Sequence, residues 1–252
     1  MLIINADDFG RSAAETDTAL RCYRAGRISS VSAMVFMEDS ERAARLAKEN
    51  GLDIGLHLNF SERFTGKSHL ARLSYYHNRI VRFLRRTKYS QLLYNPFLRK
   101  GFSYSYQAQA DEFARLLGRP PSHIDGHHHM HLCANVVLKN LLPAGTVVRR
   151  NSSFERGEKG FCNRMYRSIV DRLLERRHDL PDFLFLLPPL EPRDRLEKIF
   201  SLAHKYVVEI ETHPVNADEY QFLMEGEIFQ LAGDVPVASS FAMPQRKCWQ
   251  RN

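Results

Sequence analysis

The sequence predicts an α/β fold built on a parallel sheet or a closed barrel. Seven short apolar runs alternate with helix-like stretches along the 252 residues, an alternation that is typical of parallel α/β proteins. Polar residues gather where several of those runs end, and parallel α/β folds carry their chemistry at the carboxyl ends of strands. The chain is 44% hydrophobic and 26% charged, which supports a folded core, and its length suits a single domain.

Each predicted strand is a short apolar run bounded by polar or turn-forming residues. Asp7 and Asp8 follow the first run, and His213 follows the last. Because several runs deliver Asp, His or Arg side chains to one rim, the pattern favours an enzyme. In chain order, the predicted strands are Leu2–Asn5, Val31–Met37, Asp53–Asn59, His123–Leu132, Thr146–Arg149, Phe183–Leu187 and Tyr206–Glu211.

The predicted helices lie between these strands. Gly51 ends the second helix, and Gly118 followed by Pro120 ends the third, since glycine and proline do not continue a helix. The four predicted helices are Ala13–Arg24, Ser40–Asn50, Ala108–Leu117 and Arg193–Lys205.

The net charge of +7 arises in one segment of the chain. Ser68–Gln107 contains eight basic residues and no Asp or Glu, which leaves −1 for the rest of the chain. The chain therefore lacks the general basicity that a nucleic-acid-binding protein would show. We predict one domain over residues 1–252, with a basic, aromatic insertion at about residues 68–107.

The four cysteines lie far apart and form no CxxC pair, which favours reduced thiols and a cytoplasmic protein. The chain opens on an apolar run without a basic leader, and its apolar runs are shorter than the roughly 20 residues of a membrane-spanning helix. We expect a cytoplasmic protein that binds at most peripherally to the inner membrane face. A homodimer is one of the assemblies that the sequence allows.

Two adjacent carboxylates, Asp7 and Asp8, follow the first strand in the motif Asn-Ala-Asp-Asp-Phe-Gly. Successive strand side chains point to opposite sides, so one carboxylate could ligate a metal ion while the other, on the opposite side, acts as a base. An acidic turn at Gly10 explains the same residues without any chemistry.

The strongest local signal is His-Ile-Asp-Gly-His-His-His-Met-His at residues 123–131, with five histidines in nine residues. On an extended chain His127, His129 and His131 share one face and His128 takes the other. Imidazoles at the end of a strand indicate a divalent ion, with one or two of them as ligands and the others in support. The local pattern does not choose among these histidines.

Two further histidines follow or lie within apolar strands, His57 in Gly-Leu-His-Leu-Asn and His213 in Glu-Thr-His-Pro. Each taken alone is more often a buried structural histidine than a catalytic one. His213 would suit a general acid, because imidazole titrates near neutrality. Four other histidines are expected at the surface: His69, His77, His178 and His204.

Together, the motifs at residues 5–10, 55–59 and 123–131 and the late His-Pro resemble the YdjC/ChbG (ChbG/HpnK-like) family of carbohydrate deacetylases. The order and spacing match from Leu2 to about Val215. The resemblance implies a distorted (β/α) barrel of the polysaccharide-deacetylase type that binds one divalent metal ion, zinc or magnesium. It also implies a reaction, the removal of an N-acetyl group from an amino sugar such as a chitooligosaccharide.

The resemblance also implies roles for individual residues. It implies metal ligation by Asp8, His57 and His127, general-base catalysis by Asp7, and general-acid catalysis by His213. Five more residues are expected to bind substrate or to surround the metal ligands: Asn59, Asp125, His129, His131 and Arg149.

The basic segment departs from the family pattern, because it holds nine aromatic residues beside its eight cations. An amphipathic basic helix is typical of a membrane interface, so one interpretation is a substrate amino sugar carried on a membrane lipid. The alternatives are an apolar stripe that packs on the core and a surface that grips a long soluble glycan. In helical spacing the stripe consists of Leu73, Tyr76, Ile80, Phe83 and Leu84. The arginines expected to contact membrane or glycan are Arg79, Arg82, Arg85 and Arg86.

Two other functions are compatible with the same residues. Another metal-dependent amidase or a phosphoesterase could use the same barrel, although phosphoesterases often bind two metal ions. A non-catalytic, membrane-associated protein could trap a metal ion in its histidine cluster, but it would not need Asp7 and His213. A nucleic acid is not expected as a partner, because the basic charge is confined to one segment.

Overall fold

Six strands are present in the part of the chain that the computed structural model describes, residues 1–66, 71–154 and 160–241. They are β1 Leu2–Phe9, β2 Ser30–Ala33, β3 Ile54–Leu58, β4 Ile124–Gly126, β5 Phe183–Leu186 and β6 Val208–Thr212. All neighbouring strands are parallel and form one sheet in the order β4-β3-β2-β1-β6-β5. The carboxyl ends of all six strands therefore open on the same rim.

Nine helices in the described residues accompany this sheet: α1 Ala13–Arg24, α2 Ser40–Asn50, α3 Ala71–Leu84, α4 Arg99–Leu117, α5 Ala134–Val137, α6 Phe161–Glu175, α7 Arg193–Leu202, α8 Ala217–Met224 and α9 Glu227–Ala232. Single 3-10 turns occur at Ser90–Leu92 and Pro96–Leu98, and His127–Leu132 is a kinked turn with two left-handed residues inside it. Apolar side chains from the strands and from the helices pack together in one large core. No helix among the described residues combines the length and apolar character needed to cross a bilayer.

The first two helices have the predicted bounds. The Ser12 hydroxyl accepts the N–H of Ala14 and so caps α1, and Gly51 ends α2 with a φ of 62°, a conformation that glycine adopts without steric cost. The predicted third helix is the final part of the longer α4. The predicted helix from Arg193 ends three residues early, at Leu202.

The prediction of a strand at Thr146–Arg149, the fifth of the seven in chain order, is wrong. Val147 and Val148 form only isolated bridges, to Asp179 and Ile124 respectively. Further along, the Ser153 N–H donates to the Leu184 carbonyl. An irregular segment thus crosses the gap between β4 and β5, and the α/β barrel is distorted at this position.

The extended form predicted for His123–Leu132 is also wrong beyond Gly126, where β4 ends. His128 and His129 have φ values of 54° and 56°, so the histidines do not alternate between two faces. A Cβ atom at Gly126 would lie 2.9 Å from the His131 backbone nitrogen. Glycine at this position therefore permits the chain to fold back directly after the strand.

The apolar stripe predicted on the basic helix faces the protein. Leu73, Ile80 and Leu84 of α3 are buried, and Phe83 packs against the large core. α3 packs along α4, so this stripe is not available to a lipid surface and behaves as an ordinary packing face. Ser68 and His69 of the predicted insertion lie outside the described residues.

Candidate active site

A bulge in β1 brings the two adjacent carboxylates together. The pairing register of β1 with β2 shifts between Ala6 and Phe9, and Asp8 has a φ of 63°. An L-residue in this conformation costs roughly 1–2 kcal/mol, and bulges redirect side chains near active sites. Both carboxylates consequently face His57, whose Nε2 lies 3.2 Å from Asp8 Oδ1 and 3.9 Å from Asp7 Oδ2. The expected divergence of Asp7 and Asp8 is therefore wrong.

The three predicted metal ligands meet at this rim. Asp8, His57 and His127 are buried and place their ligand atoms within 4.8 Å of one another. His57 Nδ1 lies 2.9 Å from Asp125 Oδ1, so its other nitrogen, Nε2, is directed at Asp8. A carboxylate that orients a histidine in this way is a common support for a metal ligand.

Charge at this position also favours a cation. Burial opposes ionisation of His57, but Asp7 and Asp125 hold its pKa well above the ordinary value. His127 Nδ1 lies 2.8 Å from Asp8 Oδ1, while its buried Nε2 has no hydrogen-bond partner in the described residues. A carboxylate with two imidazoles, one of them with an unsatisfied nitrogen, is a donor set that suits one divalent ion.

Glu62 adds a carboxylate that sequence reasoning missed. Its Oε2 lies 3.2 Å from His127 Nε2 without hydrogen-bond alignment, and both its oxygens accept from the Arg11 guanidinium at 3.0 and 3.1 Å. The Asn59 side chain accepts the N–H groups of Ser61 and Glu62. Asn59, which was expected to bind substrate or to surround the metal ligands, therefore shapes the turn that carries Glu62.

A buried arginine lies beneath the two Asp carboxylates. The Arg149 side chain is fully buried and donates to Asp7 from two nitrogens, at 2.6 and 2.7 Å. The same guanidinium lies 2.8 Å from Asp125, 2.6 Å from Glu209 and 3.3 Å from Glu211. We call Arg149 with these four carboxylates the Arg149 cluster.

The carboxylates of the Arg149 cluster divide into two pairs. Burial opposes ionisation of Asp7 and Asp125, but Arg149 and His57 hold the pKa of each below its ordinary value. Burial raises the pKa of Glu209 to about 8 and, together with Asp7, that of Glu211 to about 7. Four carboxylates around one guanidinium cannot all ionise at low cost, so Asp7 stays charged while the glutamates hold protons more readily.

The predicted acid, His213, lies at the mouth of the site. Its side chain is about one-third exposed, and its ring joins Asp7 and Glu211 within 4.8 Å. The backbone N–H of His213 donates to Glu219 Oε2 at 2.8 Å, which fixes the chain after β6. Arg149 already supplies positive charge to Asp7 and Glu211, so this group is poorly suited to a second metal ion.

The other histidines of the cluster have separate positions. His129 Nε2 lies 3.5 Å from Glu211, at the site, whereas His131 donates to the Arg149 carbonyl and supports the Arg149 cluster from the core. Burial lowers the pKa of His129 to about 4 and that of His131 to about 3, so both are neutral at pH 7. His123 is buried and stacks on Phe241.

Two histidines expected at the surface are buried. His77 contacts Ser105 and the Glu62 carbonyl, and His178 lies 3.2 Å from the Thr146 hydroxyl. His204 is exposed as predicted, and His69 lies outside the described residues. The four arginines assigned to a membrane or glycan are exposed on α3 and just after it: Arg79, Arg82, Arg85 and Arg86.

Glu209 and Glu211 received no predicted role, although a sequence signal existed. They alternate with Val208 and Ile210 in a fully buried strand, and buried carboxylates in a central strand require charged partners. Glu62 gave no such signal, because only the turn after β3 brings it to His127.

Comparison with known proteins places these motifs in a family. The YdjC-like protein family matches residues 1–228. A carbohydrate deacetylase from Danio rerio is 30% identical over 171 residues, covering 64% of this chain and 52% of that protein. A chitooligosaccharide deacetylase from Serratia marcescens is 35% identical over 136 residues, covering 52% of this chain and 51% of that protein. The matched region thus spans about half the length of these two relatives.

A longer match and a solved structure agree with this assignment. A carbohydrate deacetylase from Vibrio parahaemolyticus is 27% identical over 247 residues, covering 95% of this chain and 88% of that protein. A crystal structure from Enterococcus faecalis, described as a candidate cellobiose-phosphate cleavage protein, shares the fold with a TM-score of 0.64 at 19% identity, covering 94% and 95% of the two chains. The chain belongs to the YdjC-like family.

Proposed function

We propose that this protein is a metal-dependent deacetylase that hydrolyses the N-acetyl group of an acetylated amino sugar. The observation that carries the proposal is the convergence of Asp7 and Asp8 on His57, with His127 completing a three-ligand group. A metal-binding group beside a separate ionised carboxylate suits amide hydrolysis. The names of the relatives from Danio rerio, Serratia marcescens and Vibrio parahaemolyticus support the same reaction.

Asp8, His57 and His127 would hold one divalent ion, zinc or magnesium, with Asp125 orienting His57. The bound ion would lower the pKa of water and polarise the acetamide carbonyl. Three protein ligands leave a coordination position open, which a catalytic site requires. The second group, Asp7 with Glu211 and His213, lies against Arg149. This arrangement favours a one-metal deacetylase over a two-metal phosphoesterase.

Asp7 is the proposed general base. Arg149 keeps it ionised and, with Asn5, fixes its orientation. Each carboxylate oxygen has two lone pairs, so Asp7 can accept a proton from water while it remains bound to Arg149. Its lowered pKa makes it a weak base, which suffices if the water that it deprotonates is already acidified.

His213 is the proposed general acid. Its partly exposed ring lies where a substrate nitrogen can reach it, and expulsion of an amine requires a proton on that nitrogen. Glu211 lies between His213 and His129 and supplies a carboxyl group on the same side. Asp125, Asn59, His131 and Arg149 then act by positioning other groups, and His129 lines the pocket.

The proposed location is the cytoplasm at the inner membrane face, with the amino sugar carried on a membrane lipid. The free thiols of Cys22, Cys133 and Cys162 support a reducing compartment. The exposed arginines on α3 and just after it support contact with an anionic surface.

The test is acetate release from acetylated amino sugars, free and lipid-linked, by protein loaded with zinc or magnesium. We expect acetate and free amine in equal amounts, one bound metal ion per chain, loss of turnover with a chelator and recovery when the metal is restored. Arg45→Gln, an exposed change on α2, is the control and should retain full turnover. Release of acetate from neither class of sugar would refute the proposal.

A further inference from the structure

Three segments of the surface contain Lys or Arg and no carboxylate, and the first of them holds eight of the cations. They are residues 71–107, 134–142 and 160–170, and together they hold eleven Lys and Arg residues. Asp171, the next acidic residue along the chain, is buried and paired with Arg150 at 3.0 Å. The positive charge of these segments is therefore not offset by acids of their own, and we call this surface the cationic face.

The cationic face also exposes most of the large apolar side chains that reach solvent in the described residues. Nine of the twelve such side chains belong to it, including Phe97 at 86% exposure and Leu93 at 59%. Such clustering differs from the scattered exposure that is normal for a soluble surface and marks an interaction site. The nine are Tyr75, Tyr89, Leu92, Leu93, Phe97, Leu138, Phe161, Met165 and Ile169.

The three segments adjoin one another. α5 packs against α4, α6 and the 3-10 turn Ser90–Leu92. Asn95 and Asn135 exchange two hydrogen bonds of 2.9 Å, each between a backbone group and a side chain, and the Lys139 ammonium lies 5.0 Å from the centre of the Tyr94 ring. The three segments are thus neighbours in the fold and are joined through α5, which follows the histidine turn of the candidate site directly in the chain.

We propose that the cationic face docks on an anionic phospholipid bilayer. Each basic side chain near such a surface is attracted to it, and exposed apolar side chains enter the boundary between headgroups and acyl chains. The buried stripe of α3 takes no part. The apolar contacts come instead from exposed Tyr75 of α3, from the turns after α3, from Leu138 directly after α5, and from α6. This inference rests on the proposed function, to which it adds the surface that would bring a membrane-anchored substrate to the site.

A recess in the cationic face suits a lipid phosphate. It has a volume of about 740 Å³, and Arg72, Arg99 and Lys100 line it together with Tyr76 and Tyr104. The Arg72 guanidinium lies over both tyrosine rings, at 5.0 and 5.8 Å from their centres. The rings hold this guanidinium in place without neutralising it, so it keeps its charge for an anion.

Other partners fit the cationic face less well. A second copy of the chain meeting through the same face would set eleven cations against eleven, and such like-charge contacts are unfavourable. A nucleic acid would use the arginines and the aromatic rings but has no contact for exposed Leu92, Leu93 and Leu138. A bilayer surface uses both the charge and the aliphatic side chains.

The experiment is flotation of the full chain with vesicles of phosphatidylcholine alone, or of phosphatidylcholine and phosphatidylglycerol in equal parts. One variant combines Arg85→Gln with Arg86→Gln, and another combines Leu93→Ser with Phe97→Ser. The matched controls are Arg45→Gln with Lys48→Gln on α2, and Tyr206→Ser for an exposed apolar residue before β6, away from the candidate site. Acetate release from a soluble chitooligosaccharide is measured on each protein to separate docking from catalysis.

We expect the wild-type chain to float only with anionic vesicles. Loss of two arginines should lower partitioning roughly 30-fold, and loss of two apolar side chains should lower it at least tenfold, by rough estimate. The controls should partition as the wild type does, and turnover of the soluble substrate should stay unchanged in every variant.

Three results would overturn docking. These are the absence of flotation with anionic vesicles, equal flotation of the cationic-face variants and their controls, and a wild-type dimer that Leu93→Ser with Phe97→Ser converts to a monomer without vesicle binding. If the wild type still releases acetate from the soluble sugar, the proposed function stands and only docking is wrong.

Discussion

The Arg149 cluster and the cationic face use arginine in opposite ways. Arg149 is fully buried, and four carboxylates surround its guanidinium. The arginines after β3 are exposed in a segment that contains no acid. Buried charge must be paired, so each partner fixes the position of the others and none can be removed alone. Exposed charges attract an anionic surface through their total, so the loss of any one of them removes only a small part of that attraction.

The largest effect should come from Asp7→Asn, which removes the proposed base but keeps an oxygen that can accept from Arg149. We expect turnover to fall by roughly 10²–10⁴-fold, while Asp8, His57 and His127 still bind one metal ion. Steady-state acetate release and metal content per chain measure the two quantities. An Asp7→Asn enzyme with normal turnover would remove Asp7 from the role of base.

The contrast between buried and exposed arginine can be tested for stability. Arg149→Met leaves buried carboxylates without their partner and should lower the free energy of unfolding by about 3–5 kcal/mol. Arg82→Met, the same substitution on the cationic face, should alter it by less than about 0.5 kcal/mol. Urea unfolding of both variants measures the difference. Equal losses would show that burial does not separate the two regions.

A smaller effect should follow Asp125→Asn, which weakens the support of His57 but leaves all three proposed metal ligands in place. Loss of such a supporting carboxylate typically lowers metal affinity 10–100-fold. Competition with a chelating dye measures that affinity. Asp17→Asn, an exposed carboxylate on α1, is the control. Unchanged affinity in Asp125→Asn would argue against ligation by His57.

The smallest effect, counted per pH unit, concerns Glu209, which burial makes hard to ionise. The pKa of Glu209 is about 8 in the folded protein, against an ordinary value of 4.5. Between these values the unfolded chain has released this proton and the folded chain keeps it, so stability falls as pH rises. We expect the metal-free wild type to lose about 1 kcal/mol per pH unit relative to Glu209→Gln across this window. Urea unfolding between pH about 5 and about 8 measures the slope, and parallel curves for the two proteins would contradict it.

The sequence predicted much of the fold because local signals determine it. Gly51 and Gly118 end their helices as expected, and six of the seven predicted strands are present. The remaining predicted strand, Thr146–Arg149, did not form. Carboxylates from β1, β4 and β6 direct Arg149, at the end of that segment, into the Arg149 cluster. Those partners are distant in the chain, so no local pattern could reveal them.

The sequence by itself determined which residue types reach the rim of the candidate site, because polar residues that follow apolar strands must gather at one edge of a parallel sheet. It also located the positive charge, since that count needs no structure. Only the tertiary structure decided how these groups are used. The bulge at Asp8 turns two adjacent carboxylates toward the same histidine. The packing of α3 on α4 buries the apolar stripe for which the sequence allowed contact with a membrane. In both cases the direction of a side chain depends on backbone strain and on contacts with remote parts of the chain. The periodicity of the sequence carries no information about such contacts.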